Sequence, residues 1–263
     1  MAGVYNVTIS AHREDYVCYE GYETITSTGH FTLALADPTV DGRWFYGFVD
    51  DTTAGLARPL VTHDPGYVQS RALGDMFFDQ IRANLKNLVD LSVKDCVTRV
   101  TAAARATVND PSFKQLKYMY LTFVIIIERP LGWLVVHLGP EMVFLVQDGS
   151  IRELVVPHSG MTQAVASGVA AKDACPLAGV ATAAAAPGRA FERHVGHVEA
   201  TLRGSDWLLI VPGSAAICDL ELKQQGTDIQ SICDLVERLA EPYAQHNRSW
   251  LAVFPEEREN VAV

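Results

Sequence analysis

The stretch of residues 132–159 constrains the fold of this chain more than any other. It holds three short apolar runs rich in Val, Leu and Phe, at residues 133–138, 142–146 and 151–156. Gly139-Pro140 separates the first two runs, and Asp148-Gly149 separates the last two. Short apolar runs bounded by turn dipeptides are typical of strands, and Asp-Gly favours a hairpin because glycine accepts the positive φ of a tight turn. The pattern predicts a β-meander in the middle of the chain.

Apolar runs on both sides of the meander predict further strands and helices. Strands are predicted at residues 4–19, 29–36, 43–49, 118–128, 206–211 and 249–254. After a loop containing Pro59, Pro65 and Gly66, three- and four-residue spacing predicts two amphipathic helices, which carry Ala72, Met76, Phe77, Ile81, Leu85 and Leu88, and then Val93, Val97, Val100 and Ala104. Residues 160–196 are weakly patterned and predict a short helix with loops, and a capping box at Thr227 predicts a helix over residues 227–245. This order predicts one α+β domain over residues 1–263, with mainly antiparallel sheets and helices packed outside.

Composition excludes several classes of partner. The formal net charge is -10, which argues against a nucleic-acid groove or an anionic membrane surface, since both select for basic patches. No apolar run approaches the roughly 20 residues that span a bilayer, and no secretory signal is visible. The five cysteines are scattered without a C-x-x-C pair, which predicts reduced, mostly buried thiols. We therefore expect a cytoplasmic protein without a membrane span.

Five phrases of the sequence occur in the order and spacing found in one known family. They are Arg13-Glu14-Asp15, FYGFVDDTTAG at residues 45–55, VHLGPEMVFLVQDGSIRELVVPHS at 136–159, GSDWLLIVPGSA at 204–215 and HNRSWLAVF at 246–254. Together they resemble the metal-dependent protein phosphatases of type 2C (the PPM family), and the resemblance covers nearly the whole chain. It implies two packed, mainly antiparallel β-sheets flanked by helices.

The resemblance also implies which residues would form a metal site. In that family aspartates hold a pair of divalent metals, Mn²⁺ or Mg²⁺, and a bridging water attacks the phosphorus. The matching positions here make Glu14, Asp15, Asp50 and Asp51 candidate metal ligands, with the family's bridging aspartate at either Asp50 or Asp51. Ser10 occupies the position at which the family grips the substrate phosphate. Arg13 lies close to it in the sequence and is the candidate phosphate-binding residue.

Several positions depart from the family's pattern together. The aspartate of Gly-Asp-Ser-Arg is Pro140, and the aspartate after the fourth phrase's strand falls at Pro212 or Gly213. The terminal Asp-Asn is His246-Asn247, and the histidine often taken as general acid falls at Thr52 or Thr53. Two divalent cations require several carboxylates, and Glu141 is the only acid beside Pro140 that could compensate. We therefore expect no cofactor and no catalytic residue, and the acids above would be vestigial ligands.

Two other sets of residues allow more than one interpretation. His194 and His197 would be neighbours on one helical turn and could face a metal, or they are ordinary surface histidines because no third ligand lies at a recognisable spacing. Asp50-Asp51 is a remnant of a site or a plain turn after a strand. His246 is a replacement ligand or a solvated loop histidine.

Three functional hypotheses follow. The first is a pseudophosphatase that acts as a regulatory or scaffold module and binds a protein, such as a kinase or phosphoprotein. The second is a divergent but active serine/threonine phosphatase with a relocated metal site that uses Glu141 and His246 beside the four acids. The third is a structural subunit of a larger assembly. The number of missing metal ligands favours the first hypothesis, the pseudophosphatase.

Overall fold

The computed structural model describes residues 4–7, 22–25, 31–50, 65–87, 91–113, 120–130, 132–147, 150–174, 177–202, 206–211, 213 and 250–253. The strands of this part of the chain are β1 (Val4–Val7), β2 (Tyr22–Ile25), β3 (Phe31–Pro38), β4 (Trp44–Asp50), β5 (Phe123–Arg129), β6 (Gly132–Leu138), β7 (Met142–Gln147), β8 (Ser150–Glu153), β9 (Gly196–Ala200), β10 (Trp207–Val211) and β11 (Trp250–Val253). Its α-helices are α1 (Pro65–Leu85), α2 (Val93–Val108), α3 (Gly160–Ala166) and α4 (Ala171–Ala174). A 3₁₀ helix, Glu192–His194, precedes β9.

The strands form two antiparallel sheets. One sheet has the order β1-β11-β10-β7-β8, and the other has the order β2-β3-β4-β5-β6-β9. Alternate residues of β5 face opposite sides: Val124 and Ile126 pack between the two sheets, whereas Ile125 and Ile127 pack against α1 and α2. Because both faces of β5 are covered, its burial is continuous rather than alternating. The predicted fold of two packed antiparallel sheets flanked by helices is confirmed.

The two long helices follow most of the predicted apolar spacing: Phe77, Ile81 and Leu85 of α1 are buried, whereas Ala72 is exposed and Leu88 lies outside the described residues. Helix α2 begins where Ser92 Oγ accepts a hydrogen bond from Asp95 N at 3.1 Å, and it buries Cys96, Val100, Ala103, Ala104, Thr107 and Val108. Helix α1 begins earlier than predicted, because Pro65 lies in the helix rather than in a loop. Proline suits a first helical position, since its missing N–H would have no helical partner there. None of the described helices is long and apolar enough to cross a membrane.

The predicted β-meander is only half correct. Strands β7 and β8 pair as an antiparallel hairpin, with Val146 opposite Ile151. Strand β6 does not pair with β7: it lies between β5 and β9 in the six-stranded sheet, whereas β7 lies beside β10 in the other sheet. Gly139-Pro140 therefore carries the chain from one sheet to the other. Apolar periodicity identifies strands but contains no information on which neighbour each strand pairs with.

Other boundaries differ by small amounts, and two strands were not predicted. The predictions missed β2 and β9, and β9 has a half-buried, polar sequence, GHVEA, in which apolar residues are scarce. The first predicted strand, 4–19, is described only over Val4–Val7. The predicted helix over residues 227–245 lies outside the described residues.

Candidate functional site

The crossing from β6 to β7 is a tightly packed turn. Gly139 has a φ of +139°, a conformation that favours glycine. A Cβ atom at this position would lie 2.5 Å from Thr122 Cβ and would overlap the Glu141 carboxylate. Gly139 N donates a hydrogen bond to His158 Nδ1 at 3.2 Å, and His158 N donates one to Gly139 O at 2.7 Å. These reciprocal bonds fix the turn against the segment that follows β8.

Strand pairing brings the segment after β10 to the same turn. Val211, the last residue of β10, pairs with Met142, the first residue of β7. The chain therefore leaves β10 beside Pro140. A Cβ atom on Gly213 would lie 2.6 Å from both Pro140 Cβ and Pro140 O, and 2.8 Å from Ala178 O. Residue 213 consequently has no room for a side chain unless the backbone around it moves.

Pro140, one position at which the resemblance implied a carboxylate, thus lies against Gly213, one of the two candidates for the other position; the second candidate, Pro212, lies outside the described residues. Pro140 and Gly213 contain no side-chain oxygen, and their only donors are backbone carbonyls. Mg²⁺ and Mn²⁺ are held in proteins mainly by carboxylate oxygens together with carbonyls and water. The residues on this side of the site do not fit a pair of such cations.

Glu141 is the acid that could have compensated, and it points into the protein. Only 1% of its surface is exposed, and its carboxylate packs over Gly139. This carboxylate is withdrawn from solvent, so it does not line an open cleft.

Asp50 lies at the same end of the sandwich as the turn. It is the last residue of β4 and pairs with Thr32 of β3. Strand β4 pairs with β5 so that Phe48 is opposite Val124, which brings the end of β4 close to Thr122 and hence to Gly139. The backbone of Asp50 therefore lies at the same end of the sandwich as the β6–β7 turn and Gly213.

The other candidate ligands are not described. Glu14, Asp15, Asp51, His246 and the phosphate-binding candidate Arg13 lie outside the described residues, so their roles stay predictions. Among the residues that the structure describes, no group of three or more His, Cys, Asp or Glu side chains is placed to hold a metal ion.

The histidine hypothesis needs a correction. His194 belongs to the 3₁₀ helix and His197 to β9, so the two do not share a helical turn as the spacing suggested. His194 Nε2 instead lies 3.1 Å from Arg193 Nε. The two residues belong instead to a group of four histidines, His137, His158, His194 and His197, which the sequence did not reveal.

That group centres on His137 of β6 and His158, whose rings stack with centroids 5.0 Å apart and planes at 14°. His137 is 6% exposed, and its Nδ1 has no hydrogen-bond partner among the described residues. Burial, together with the charges of the nearby His158 and His197, lowers the pKa of His137 to about 4. Burial, and then the charge of His194, also lowers the pKa of His158. Both histidines lie in the phrase at residues 136–159, but the strand pattern does not show that their rings meet beside the β6–β7 turn.

Comparison with known proteins identifies the fold. No family model matches the sequence, and no curated protein matches it. Solved structures do match. The serine/threonine phosphatase Stp1 from Staphylococcus aureus is similar with a TM-score of 0.64 and 14% identity, over 97% of this chain and 96% of that one. The PPM Ser-Thr phosphatase MsPP from Mycobacterium smegmatis is similar with a TM-score of 0.56 and 14% identity, over 97% of each chain.

PppA, described as a key regulatory component of the T6SS in Pseudomonas aeruginosa, is similar with a TM-score of 0.57 and 14% identity. This match covers 89% of this chain and 94% of PppA. The chain therefore has the fold of the PPM phosphatases, as the resemblance implied, and identities this low establish the fold alone.

Proposed function

We propose that this protein is a catalytically inactive protein of the type 2C phosphatase fold that acts as a regulatory or scaffold module by binding a protein partner. The observation that carries the proposal is the contact between Pro140 and Gly213. A Cβ on Gly213 would lie 2.6 Å from Pro140. Pro140 and the segment at Pro212 or Gly213, where the family's carboxylates would stand, contain no carboxylate.

Loss of these ligands removes the basis of the family's chemistry. That chemistry depends on metal ions that generate a nucleophile from water at neutral pH. Asp50, at the end of β4, and the predicted ligands Glu14, Asp15 and Asp51 would hold at most one cation, because two divalent ions bring a charge of about four. We therefore regard these four acids as vestigial.

The regulatory role is supported by the comparison and by the sequence. PppA shares the fold and is described as a regulatory component. A net charge of -10 disfavours nucleic acid and anionic membranes as partners. A kinase or a phosphoprotein is the first class of partner to test, because Arg13 lies near the family's phosphate-gripping position.

A phosphatase assay tests the proposed lack of phosphatase activity. The purified chain is incubated with p-nitrophenyl phosphate and millimolar Mn²⁺ or Mg²⁺, with Stp1 as the positive control. We expect no turnover above the buffer rate. Turnover that disappears in the double variant Asp50→Asn, Asp51→Asn would contradict the proposal and support the active-enzyme hypothesis.

The binding role is tested separately. The chain is isolated from its own cells at native abundance, and its mass is measured by size-exclusion chromatography with light scattering. We expect a stoichiometric complex with another protein. Recovery of a stable, partner-free monomer would argue against a binding module even if the enzyme assay is negative.

A further inference from the structure

A second candidate site lies at the opposite end of β5 from Thr122. A cavity of about 300 Å³ opens where β5 turns into β6 and where β9 ends, and its lining includes Leu91, Arg129, Pro130, Gly132, Glu199 and Thr201. This volume is at the lower end of the range for small-molecule sites. The cavity shares no described residue with the β6–β7 turn, so it is independent of the proposed function.

Arg129 supplies an unusual feature of this cavity. Its Nη1 atom is buried, yet it has no hydrogen-bond partner among the described residues. Arg129 also forms no ion pair within the described part of the chain. A buried guanidinium nitrogen without an acceptor is costly, because desolvation is not repaid. Nη1 is closed to water in this structure, so an acceptor bound in the cavity would remove that cost once the guanidinium turned toward it.

Part of the wall around Arg129 is closely packed. Gly132 has a φ of +151°, and a Cβ there would lie 2.7 Å from Ala200 O, so the β5–β6 turn packs directly on β9. Trp133, 4% exposed, is stacked on Tyr46 with centroids 5.8 Å apart. On the helix side, the charge of Arg129 acts on the Cys96 thiol, which places the guanidinium near the first turns of α2. A ligand would therefore meet closely packed residues on the β6–β9 side of the cavity.

The charges of the residues that line the cavity favour one kind of anionic ligand. Among the described residues that line the cavity, Arg129 supplies a guanidinium and Glu199, which is exposed at the rim, supplies a carboxylate. Carboxylate and phosphate can both receive two parallel N–H bonds from arginine, but Glu199 would repel a phosphate dianion more strongly than a monocarboxylate. Leu91 and Pro130 offer apolar contact beside the cation. We propose that this cavity binds the carboxylate of a small organic monoanion with a short apolar part.

Titration followed by NMR tests the proposal. The full chain, labelled with ¹⁵N, is titrated with propionate, with benzoate and with inorganic phosphate at constant ionic strength. We expect saturable shifts with a monocarboxylate, centred on Arg129, Gly132 and Ala200, and weaker shifts with phosphate. Shifts that do not saturate, or tighter binding of phosphate than of both carboxylates, would overturn the proposal.

Charge-changing variants distinguish binding by the Arg129 guanidinium from a general effect of the protein's charge. Arg129→Gln is expected to weaken carboxylate binding by at least about tenfold, since charge-assisted bonds are lost. Glu199→Gln should tighten it, whereas Asp173→Asn, the same charge change on exposed α4, should leave it unchanged. Equal tightening by Glu199→Gln and Asp173→Asn would overturn the site, and this comparison holds even if Arg129→Gln fails to fold.

Discussion

Gly139 shows how one residue can be required for two separate reasons. Its φ of +139° is strained for any residue with a side chain, and Thr122 and Glu141 occupy the space that a Cβ would need. The close approach of Thr122 belongs to the crossing between sheets, so a glycine here is part of the architecture rather than a permissive turn residue.

We expect Gly139→Ala to lower the free energy of unfolding by about 3 kcal/mol, because backbone strain and overpacking add. Urea denaturation measures the free energy of unfolding of the wild type and the variant. Gly188→Ala is the matched control: Gly188 has a φ of +68°, but a Cβ added there would have no atom within 4 Å, so only strain of about 1 kcal/mol applies. Equal losses in the two variants would show that the space around residue 139 is not restrictive.

The stacked histidines predict a pH dependence of stability. His137 has a pKa of about 4 in the folded protein and 6.5 as its ordinary value. Between these values the unfolded chain binds a proton that the folded chain does not, so stability falls as pH decreases from about 6.5 to about 4. The full contribution is about 3 kcal/mol, and His158, whose pKa is also lowered, acts in the same direction.

Denaturation at a series of pH values measures this slope. We expect His137→Gln to flatten it between pH 6.5 and 4.5, because the titrating group is gone. His197→Gln removes an exposed histidine and should leave most of the slope. A slope that is the same in wild type and His137→Gln would assign the pH dependence to other groups.

At the scale of elements, α2 is the best example of agreement between local sequence and tertiary packing. Its N-cap, apolar spacing and termination at Asn109 and Asp110 follow from sequence rules. Its buried face also contributes to the core against β5 and β6. Local preference and packing therefore favour the same helix, and the prediction succeeded.

We expect Ser92→Ala to cost about 1 kcal/mol of unfolding free energy, because the N–H of Asp95 loses its acceptor. Thr98→Ala is the control on the same helix: Thr98 is exposed and its hydroxyl only bonds back to Lys94 O. The Thr98→Ala substitution should be neutral or slightly stabilising, since alanine has the higher helix propensity. A loss as large as that of Ser92→Ala would indicate a general sensitivity of α2.

Strands β6 and β7 show where local sequence stops being informative. Both are apolar and both end at turn residues, so the sequence predicted neighbours in one sheet. Each is instead covered on both faces and paired with a distant strand, β9 for β6 and β10 for β7. Partner choice depends on packing of the two sheets over Val135, Val143, Leu145 and Leu208, which are hydrophobic contacts without a sequence signature.

At the scale of the whole molecule, the arrangement predicts how the protein responds to metal. A ligand that binds only the folded state raises the melting temperature, and tighter binding raises it more. Because Pro140 and Gly213 provide no carboxylate, we expect millimolar Mn²⁺ or Mg²⁺ to leave the melting temperature within about 1 °C. Differential scanning fluorimetry with Stp1 as a positive control measures it. An increase of several degrees that is lost in Asp50→Asn, Asp51→Asn would reveal a working metal site.

The sequence by itself determined most of the described strands, though not β2 and β9, and also the two long helices, the class of fold and the absence of carboxylates at positions 140 and 213. These follow from short-range physics, because turn residues, apolar periodicity and residue chemistry are all local. The tertiary structure alone decided that residues 139–141 cross between sheets, that Pro140 and Gly213 touch, that Glu141 is buried and that His137 stacks on His158. Each of these depends on sheets brought together by long-range packing, which a linear pattern does not encode. Residues 132–159 therefore contain the strands that the sequence predicted, and only the packing of those strands showed that the β6–β7 turn meets Gly213.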